Sequence, residues 1–414
     1  MLPGCSAPGT GPPTLTEPTG ASAQTVRILG SWEASELASL QQVLAPFEER
    51  TGNVVEFTTT RDLRGAIERG LAAGDPPEIA GLPGPGYLTE LARSGQLVDL
   101  GTVIEAGEYK RRTAPAFVYL GTVDGRLVGV FLKGTVKGLL WFDPAVHRFT
   151  ADESWSSLQH TAMTTLPGVP AWCIGLASEA SSGWPGTDWI EDFVLRQSGP
   201  QVYDDWVAGR IRWTSPQIRW AFQTFGTVID EHDVGGGVDG ALSTHFSRAG
   251  DGLFTHPPQC LIAHQGTFMS TFLDEAVARE GGSYDFVPFP DIDPSYSGAL
   301  IGAGDLVVML HDTPAARDLL TYLLSPDAQE ILVSQGGAVS GDVELQDYPS
   351  ELLRRQAQLL ADATIFRFDA SDAMPEAMSR AFWQAVLDFT ADQSRLDDIL
   401  AELDVVQSET YGAG

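Results

Sequence analysis

The 414-residue chain carries 55 acidic against 25 basic side chains, a net charge of −30, and such a surface repels the phosphate backbone of nucleic acid instead of displacing its counterions. No apolar run approaches the ~20 residues that cross a bilayer. The length exceeds what one hydrophobic core supports, so two domains are expected.

Residues 1–24 open as Met1-Leu-Pro-Gly-Cys5 and run on through Gly, Thr, Pro and Ser. Leu-Pro-Gly-Cys resembles the end of a bacterial lipoprotein signal, whose cysteine is acylated after cleavage, although Pro3 departs from that pattern. The Pro- and Gly-rich stretch behind it cannot build a core and fits an extended tether. Cys5 is accordingly expected to be a lipid anchor.

The run Thr25–Gly30 reads as a buried strand. Glu36–Arg50 follows with Leu37, Leu40, Leu44 and Phe47 at helical spacing and an interruption at Pro46. Val54–Thr59 resumes as a strand, Asp62–Ala73 is a helix capped by Asp62, and Glu78–Leu82 is a third strand. This alternation predicts a parallel sheet covered by helices.

Only three lysines occur, Lys110, Lys133 and Lys137. The last two stand four residues apart and share a face if their segment is a strand, so a ligand or a cleft carboxylate is within reach of both. A solvated pair is the bland alternative.

From Ser154 to Ala278 the chain reads mostly helical, with loops at Ser181–Asp188 and Gly235–Gly240, and holds seven of the ten tryptophans. Strand character returns at Asp285–Phe289 and Ala299–Leu310, and helices follow to Asp404. Cys173 and Cys260 form an even pair that either bridges or remains as two buried thiols. His256, Cys260 and His264 are spaced like zinc ligands, but Pro257-Pro258 breaks the helix that would align them and a fourth ligand is missing.

Enzyme signatures are largely missing: there is no Gly-x-Ser-x-Gly, no His-Glu-x-x-His and no dinucleotide fingerprint, although paired carboxylates of the kind glycosidases use do occur in Asp188-Trp-Ile-Glu191-Asp192 and Asp369-Ala-Ser-Asp372. No cofactor is expected. The sequence pairs aromatic rings with acids instead. Trp32-Glu33 follows the first strand, Trp184, Asp188 and Trp189 share a Gly-Pro-rich loop, and Trp383 follows the acidic Asp369–Asp372 stretch. A pyranose offers one apolar face and a rim of hydroxyls, which a flat ring plus fixed polar partners recognises. Trp155, Trp206, Trp213 and Trp220 are assigned to packing.

Several longer motifs carry a resemblance. Pro46-Phe-Glu-Glu-Arg-Thr-Gly52, Leu82-Pro-Gly-Pro-Gly86 with Leu88–Gly95, Trp172-Cys173-Ile-Gly175, Gly183–Asp192, Pro257-Pro-Gln-Cys260 and Phe366–Pro375 resemble the sugar-binding proteins of ABC importers, a family that includes maltose-binding protein. The α-glucoside-binding branch is the most similar, over about residues 25–404. The resemblance implies an α/β periplasmic-binding-protein fold with two lobes, a hinge and an interlobe ligand cleft. Lobe 1 is expected to take 25–140 and 298–343, and lobe 2 141–297 and 344–414. Hinge crossings are expected near 138–142, 290–297 and 338–344.

Glu179 and Trp184 match the family's second-lobe binding loop, Gln265 and Phe268 a loop that presents an aromatic ring, and Trp383 a stacking position. Asp305 matches a hinge element, while Gly84 replaces the family's usual Gln. With Glu36, Arg61 and Arg367, and with Trp32, Glu33, Lys133, Lys137, Asp188, Asp369 and Asp372 from above, these form the candidate ligand set. The Trp-Cys and Pro-Pro-x-Cys motifs lead to an expected Cys173–Cys260 disulfide.

The implied protein is no enzyme. It is a lipid-anchored monomer outside the cytoplasmic membrane that binds a small carbohydrate and hands it to permease subunits. A glycoside-active enzyme and a carrier of a non-sugar solute are the alternatives.

Overall fold

The computed structural model describes residues 23–30, 34–60, 62–82, 84–336 and 338–412, and for residues 34–36 the backbone alone. Cys5, Trp32, Glu33 and Arg61, and the side chain of Glu36, lie outside the described residues.

The first βαβ units form as their patterns predict. Thr25–Gly30 (β1) pairs in parallel with Val54–Thr59 (β2) on one side and Ile79–Leu82 (β3) on the other. Val26 and Ile28 pack on Leu40, Val43, Leu44 and Phe47 of helix Ala34–Thr51. Leu29 packs on Leu63 and Ile67 of helix Leu63–Ala73. Covered on both faces, β3 reads as a continuous apolar run, while β1 is interrupted by Arg27, which pairs with Glu78 at 2.9 Å. Asp62 caps the second helix, its carboxylate accepting from the Gly65 amide at 3.1 Å. The expected interruption at Pro46 does not occur. Pro46 and Gln42 both lie on the exposed face, where water satisfies the carbonyl that loses its partner.

A short hairpin, Thr122–Val123 (β4) and Arg126–Leu127 (β5), precedes Val130–Val136 (β6) and Leu139–Phe142 (β7). Trp172–Cys173 (β8), Ile262–Gln265 (β9), Asp285–Pro288 (β10), Ala299–Met309 (β11) and Ile365–Phe368 (β12) complete the strands. One sheet has six strands in the order β12-β11-β3-β1-β2, with β6 also paired to β11; the other has four, β10-β7-β9-β8. Because β11 runs antiparallel to β3 and β6, the first sheet is mixed and not parallel throughout.

The chain passes between the sheets three times. Only Lys137 and Gly138 separate β6 from β7, and residues 289–298 separate β10 from β11. The third passage follows β12, at Asp369. It does not fall at 338–344, where Val339 bridges to Gly134 and Asp342 to Thr113 and so hold that segment to the first sheet. β12 likewise lies in the first sheet, paired with β11, so residues 344–414 do not all go with the second sheet as the sequence reading has it.

The second lobe is filled with aromatic rings. Trp155 stacks between Trp172 at 5.6 Å and Phe289 at 5.2 Å, and Trp189 meets Trp172 edge-on. Trp206 and Trp213 are buried and Trp220 is packed against the same core. Cys173 and Cys260 are joined in a disulfide that ties β8 to the strand-entry segment of β9. That bond removes Cys260 from any zinc site.

Candidate functional site

A cavity of about 610 Å³ opens between the two sheets. The first lobe contributes Leu132, Lys133 and Thr135 of β6, Ala303 and Asp305 of β11, and Ser39 and Leu40 of the first helix. The second contributes Trp184, Phe246, Phe268, Thr271 and Phe272. Lys137, in the two-residue crossing, lies between them.

The wall from the second lobe is a joined set of half-buried rings. Trp184 meets Phe246 at 5.1 Å and Phe268 at 5.8 Å, and Phe246 meets Phe272 at 5.6 Å, all close to edge-on. Edge-to-face contact fixes ring orientation while leaving flat faces to present. Opposite them, Lys133 pairs with Asp305 at 3.3 Å across β6 and β11, a donor and an acceptor held side by side.

The stretch expected as a loop around Trp184 is a helix, Trp184–Val207, broken at Gly199-Pro200. The Gly and Pro residues that suggested a loop are its start. Gly183 takes φ 104° immediately before it, and Pro185 occupies the first turn, where a missing N–H costs nothing. Likewise the loop expected at Gly235–Gly240 already turns helical at Gly237. The helix places Trp184, Asp188, Glu191 and Asp192 on successive turns of one side.

Beneath the cavity those acids meet Lys137. Its Nζ donates to Asp188 Oδ1 at 3.0 Å and to Asp369. Asp369 also accepts from Ser371 Oγ at 2.8 Å and from the Asp372 amide at 2.9 Å. Glu191 accepts from the amides of Ala370 and Ser371 at 2.9 and 3.1 Å, and Tyr203 donates to it. Burial pushes the Asp188 and Glu191 carboxyls well above the usual range, and the charge of Asp369 adds to this. Burial opposes ionisation of Lys137 and Asp369 as well, but the charges of Asp188 and then Asp369 outweigh it at the ammonium, and Lys137 outweighs it at Asp369, which is held below the ordinary carboxylate range. The cluster thus sets one ammonium among carboxyls whose ionisation burial opposes. Oxygens of Asp188, Glu191 and Asp369 lie within 4.8 Å of one another, near enough for a metal, but the lysine ammonium stands on two of them and backbone amides take the third. Alongside, His264 bonds Asp192 at 2.8 Å, and burial lowers its pKa, favouring the neutral ring.

Of the candidate ligand residues, Lys133, Lys137, Trp184, Phe268 and Asp305 line the cavity, while Asp188 and Asp369 lie directly below it. The rest point elsewhere. Glu179 is exposed, 3.5 Å from His245. Arg367 turns to Asp204 at 2.5 and 2.8 Å, and Asp372 is exposed at the surface. Gln265 is buried, its backbone oxygen accepting from Trp141, and its side-chain oxygen has no partner among the described residues. Trp383 is half-buried behind Gly183 and does not line the cavity. Sequence reasoning missed Phe246 and Phe272, whose helical surroundings look like any core segment. Glu191 stands out in the sequence as a carboxylate paired with Asp188 but is not in the expected ligand set.

The family model for bacterial extracellular solute-binding proteins matches residues 30–330. The chain belongs to that family. Relatives of this solute-binding protein include the osmoprotective compounds-binding protein GgtB of Synechocystis sp., 36% identical over 88% of each chain. The alpha-glucosides-binding periplasmic protein AglE of Rhizobium meliloti is 32% identical over 90% of this chain and 85% of its own. Among solved structures, a chitin oligosaccharide binding protein superimposes with a TM-score of 0.77 at 16% identity, over 95% of this chain and 100% of its own. MalE from Xanthomonas citri gives 0.72 at 15%, over 94% and 97%. These likenesses establish the two-lobe binding-protein fold. Members of the family bind solutes and are not enzymes, and among the described residues no helix of this solute-binding protein is long and apolar enough to cross a membrane.

Proposed function

We propose that the chain captures a small carbohydrate, an α-glucoside or related oligosaccharide, in the interlobe cavity and delivers it to an ABC importer. The observation that carries this reading is the ring wall of Trp184, Phe246, Phe268 and Phe272 facing the Lys133–Asp305 pair across about 610 Å³. That volume suits a small ligand, and a flat apolar wall opposite paired polar groups matches the two faces of a pyranose. The names of AglE and GgtB point to alpha-glucosides and osmoprotective compounds.

In this reading the lobes close by bending at the crossings near Lys137, 289–298 and Asp369, and the closed form is what the permease subunits recognise. Lobe 1 takes residues 25–136 and 299–368, and lobe 2 the segments 139–288 and 370–412. The protein works as a monomer at the outer face of the cytoplasmic membrane, held by a lipid on Cys5.

A thermal-shift panel of glucose, maltose, trehalose, sucrose and maltotriose tests the sugar assignment, since a ligand that binds only the native state raises its melting temperature. At least one glucoside is expected to stabilise the protein, and spermidine and phosphate to leave it unchanged. Stabilisation by either of those two and by no sugar overturns the reading. Release of monosaccharide from the same oligosaccharides would instead favour a glycoside-active enzyme.

A further inference from the structure

We propose that Lys137 is a positioning residue: its ammonium fixes the Trp184 ring in the cavity wall and ties that ring to two of the passages between the lobes. This rests on the cavity being a sugar site.

Lys137 occupies the shortest passage between the sheets, and its amide donates to Ile301 of β11 at 2.9 Å. The Nζ lies 5.2 Å from the Trp184 ring centroid. It also holds Asp188, which sits one turn along the helix that Trp184 begins. A third contact reaches Asp369, the first residue after β12, whose own amide donates to Gly302 at 2.9 Å. One ammonium therefore joins the first passage, the third passage and the helix that carries the aromatic wall.

Two of its three donors are committed to carboxylates, and its side chain is 9% exposed. That arrangement suits a fixed internal cation better than a donor to ligand hydroxyls. A cation at a ring is attracted by the quadrupole in a desolvated setting, so it selects one orientation of Trp184. Phe246 and Phe268 hold the same ring edge-on from two other elements of the second lobe. Any rotation between the lobes that moves Asp369 or the β6–β7 passage must carry Lys137 with it, and with Lys137 the seat of Trp184.

The test is a double-mutant cycle in an Asp369→Asn background, where removal of the lysine leaves one buried carboxyl partner, Asp188, instead of two. The probe is whichever of maltose, trehalose or sucrose binds wild type most tightly by calorimetry. Lys137→Met is expected to weaken that sugar about tenfold when Trp184 is present and to have no further effect after Trp184→Ala. Equal loss in both backgrounds overturns the proposal, because Lys137 would then act on the sugar without Trp184.

A second measurement needs no sugar. Acrylamide quenching of ligand-free protein is expected to increase on Lys137→Met, and the increase to vanish with Trp184→Phe. Unchanged quenching, or a change that survives Trp184→Phe, overturns the positioning role even if no panel sugar binds. Failure of the sugar reading alone would appear as absent binding in wild type with the quenching result intact.

Discussion

Trp184 and Glu191 sit two turns apart on one helix and do different work. The Trp184 ring faces the cavity, so its loss removes apolar area from the wall and exposes the edges of Phe246 and Phe268. Trp184→Ala is expected to weaken glucoside binding by more than tenfold, about 1.4 kcal/mol, read by calorimetry on a variant that still melts cooperatively. Unchanged affinity would return the residue to core packing. Glu191 is fully buried and its pKa is raised by burial and by Asp369 and Asp188. A carboxyl raised in the fold contributes stability that is complete below its unfolded pKa of about 4.3 and is lost as pH rises through the folded value. Glu191→Gln cannot titrate, so its melting temperature should fall less than that of wild type between pH 5 and pH 8. Parallel curves would show that the proton is held elsewhere. At this scale the sequence was informative where a residue type is rare. Three lysines directed attention to Lys133 and Lys137, whereas Arg367 and Glu179 fitted the motif pattern yet turned to Asp204 and toward His245. Side-chain direction depends on the neighbours a fold supplies, and those are not adjacent in sequence.

Gly183 shows how an element can depend on a single backbone position. Its φ of 104° belongs to a region that side chains avoid, and a Cβ there would stand 2.2 Å from the Trp383 carbonyl oxygen. Gly183→Ala should therefore cost at least the about 1–3 kcal/mol of a strained residue, seen as a lower urea midpoint, with weaker sugar binding as Trp184 shifts. A midpoint equal to wild type would mean that the turn relaxes freely. The Cys173–Cys260 bond closes a sequence separation of 87 residues, for which loop entropy gives roughly 4–5 kcal/mol. The double Cys→Ser variant should melt at a distinctly lower temperature, and two free thiols in oxidised wild type would remove the bond altogether. Elements with a clean period were legible: β1, β2 and the Asp62-capped helix fall where the apolar spacing puts them. The two-residue β8 and four-residue β12 were not, since so few residues carry no period. The Trp184 helix was hidden because Gly and Pro signal a turn and a helix start alike.

For the molecule as a whole, the proposed function has the lobes close about the three passages that join the two sheets. Saturating glucoside should reduce the radius of gyration in solution scattering, and Lys137→Met in the Asp369→Asn background should reduce the contraction. An unchanged radius with bound sugar would mean that the cavity fills without closure. The two-domain division was legible from length and motif resemblance, but the third passage was misplaced by some thirty residues because only strand pairing reveals that β12 belongs with β11. The scarcity of lysine has a practical side. Lys133 and Lys137 are held in ion pairs at the cavity, while Lys110 is exposed on a first-lobe helix away from it. Apart from an α-amino group, amine-directed reagents therefore meet one open target. A dye or surface linker placed there would yield a nearly uniform conjugate, with the sugar cleft left free to report binding.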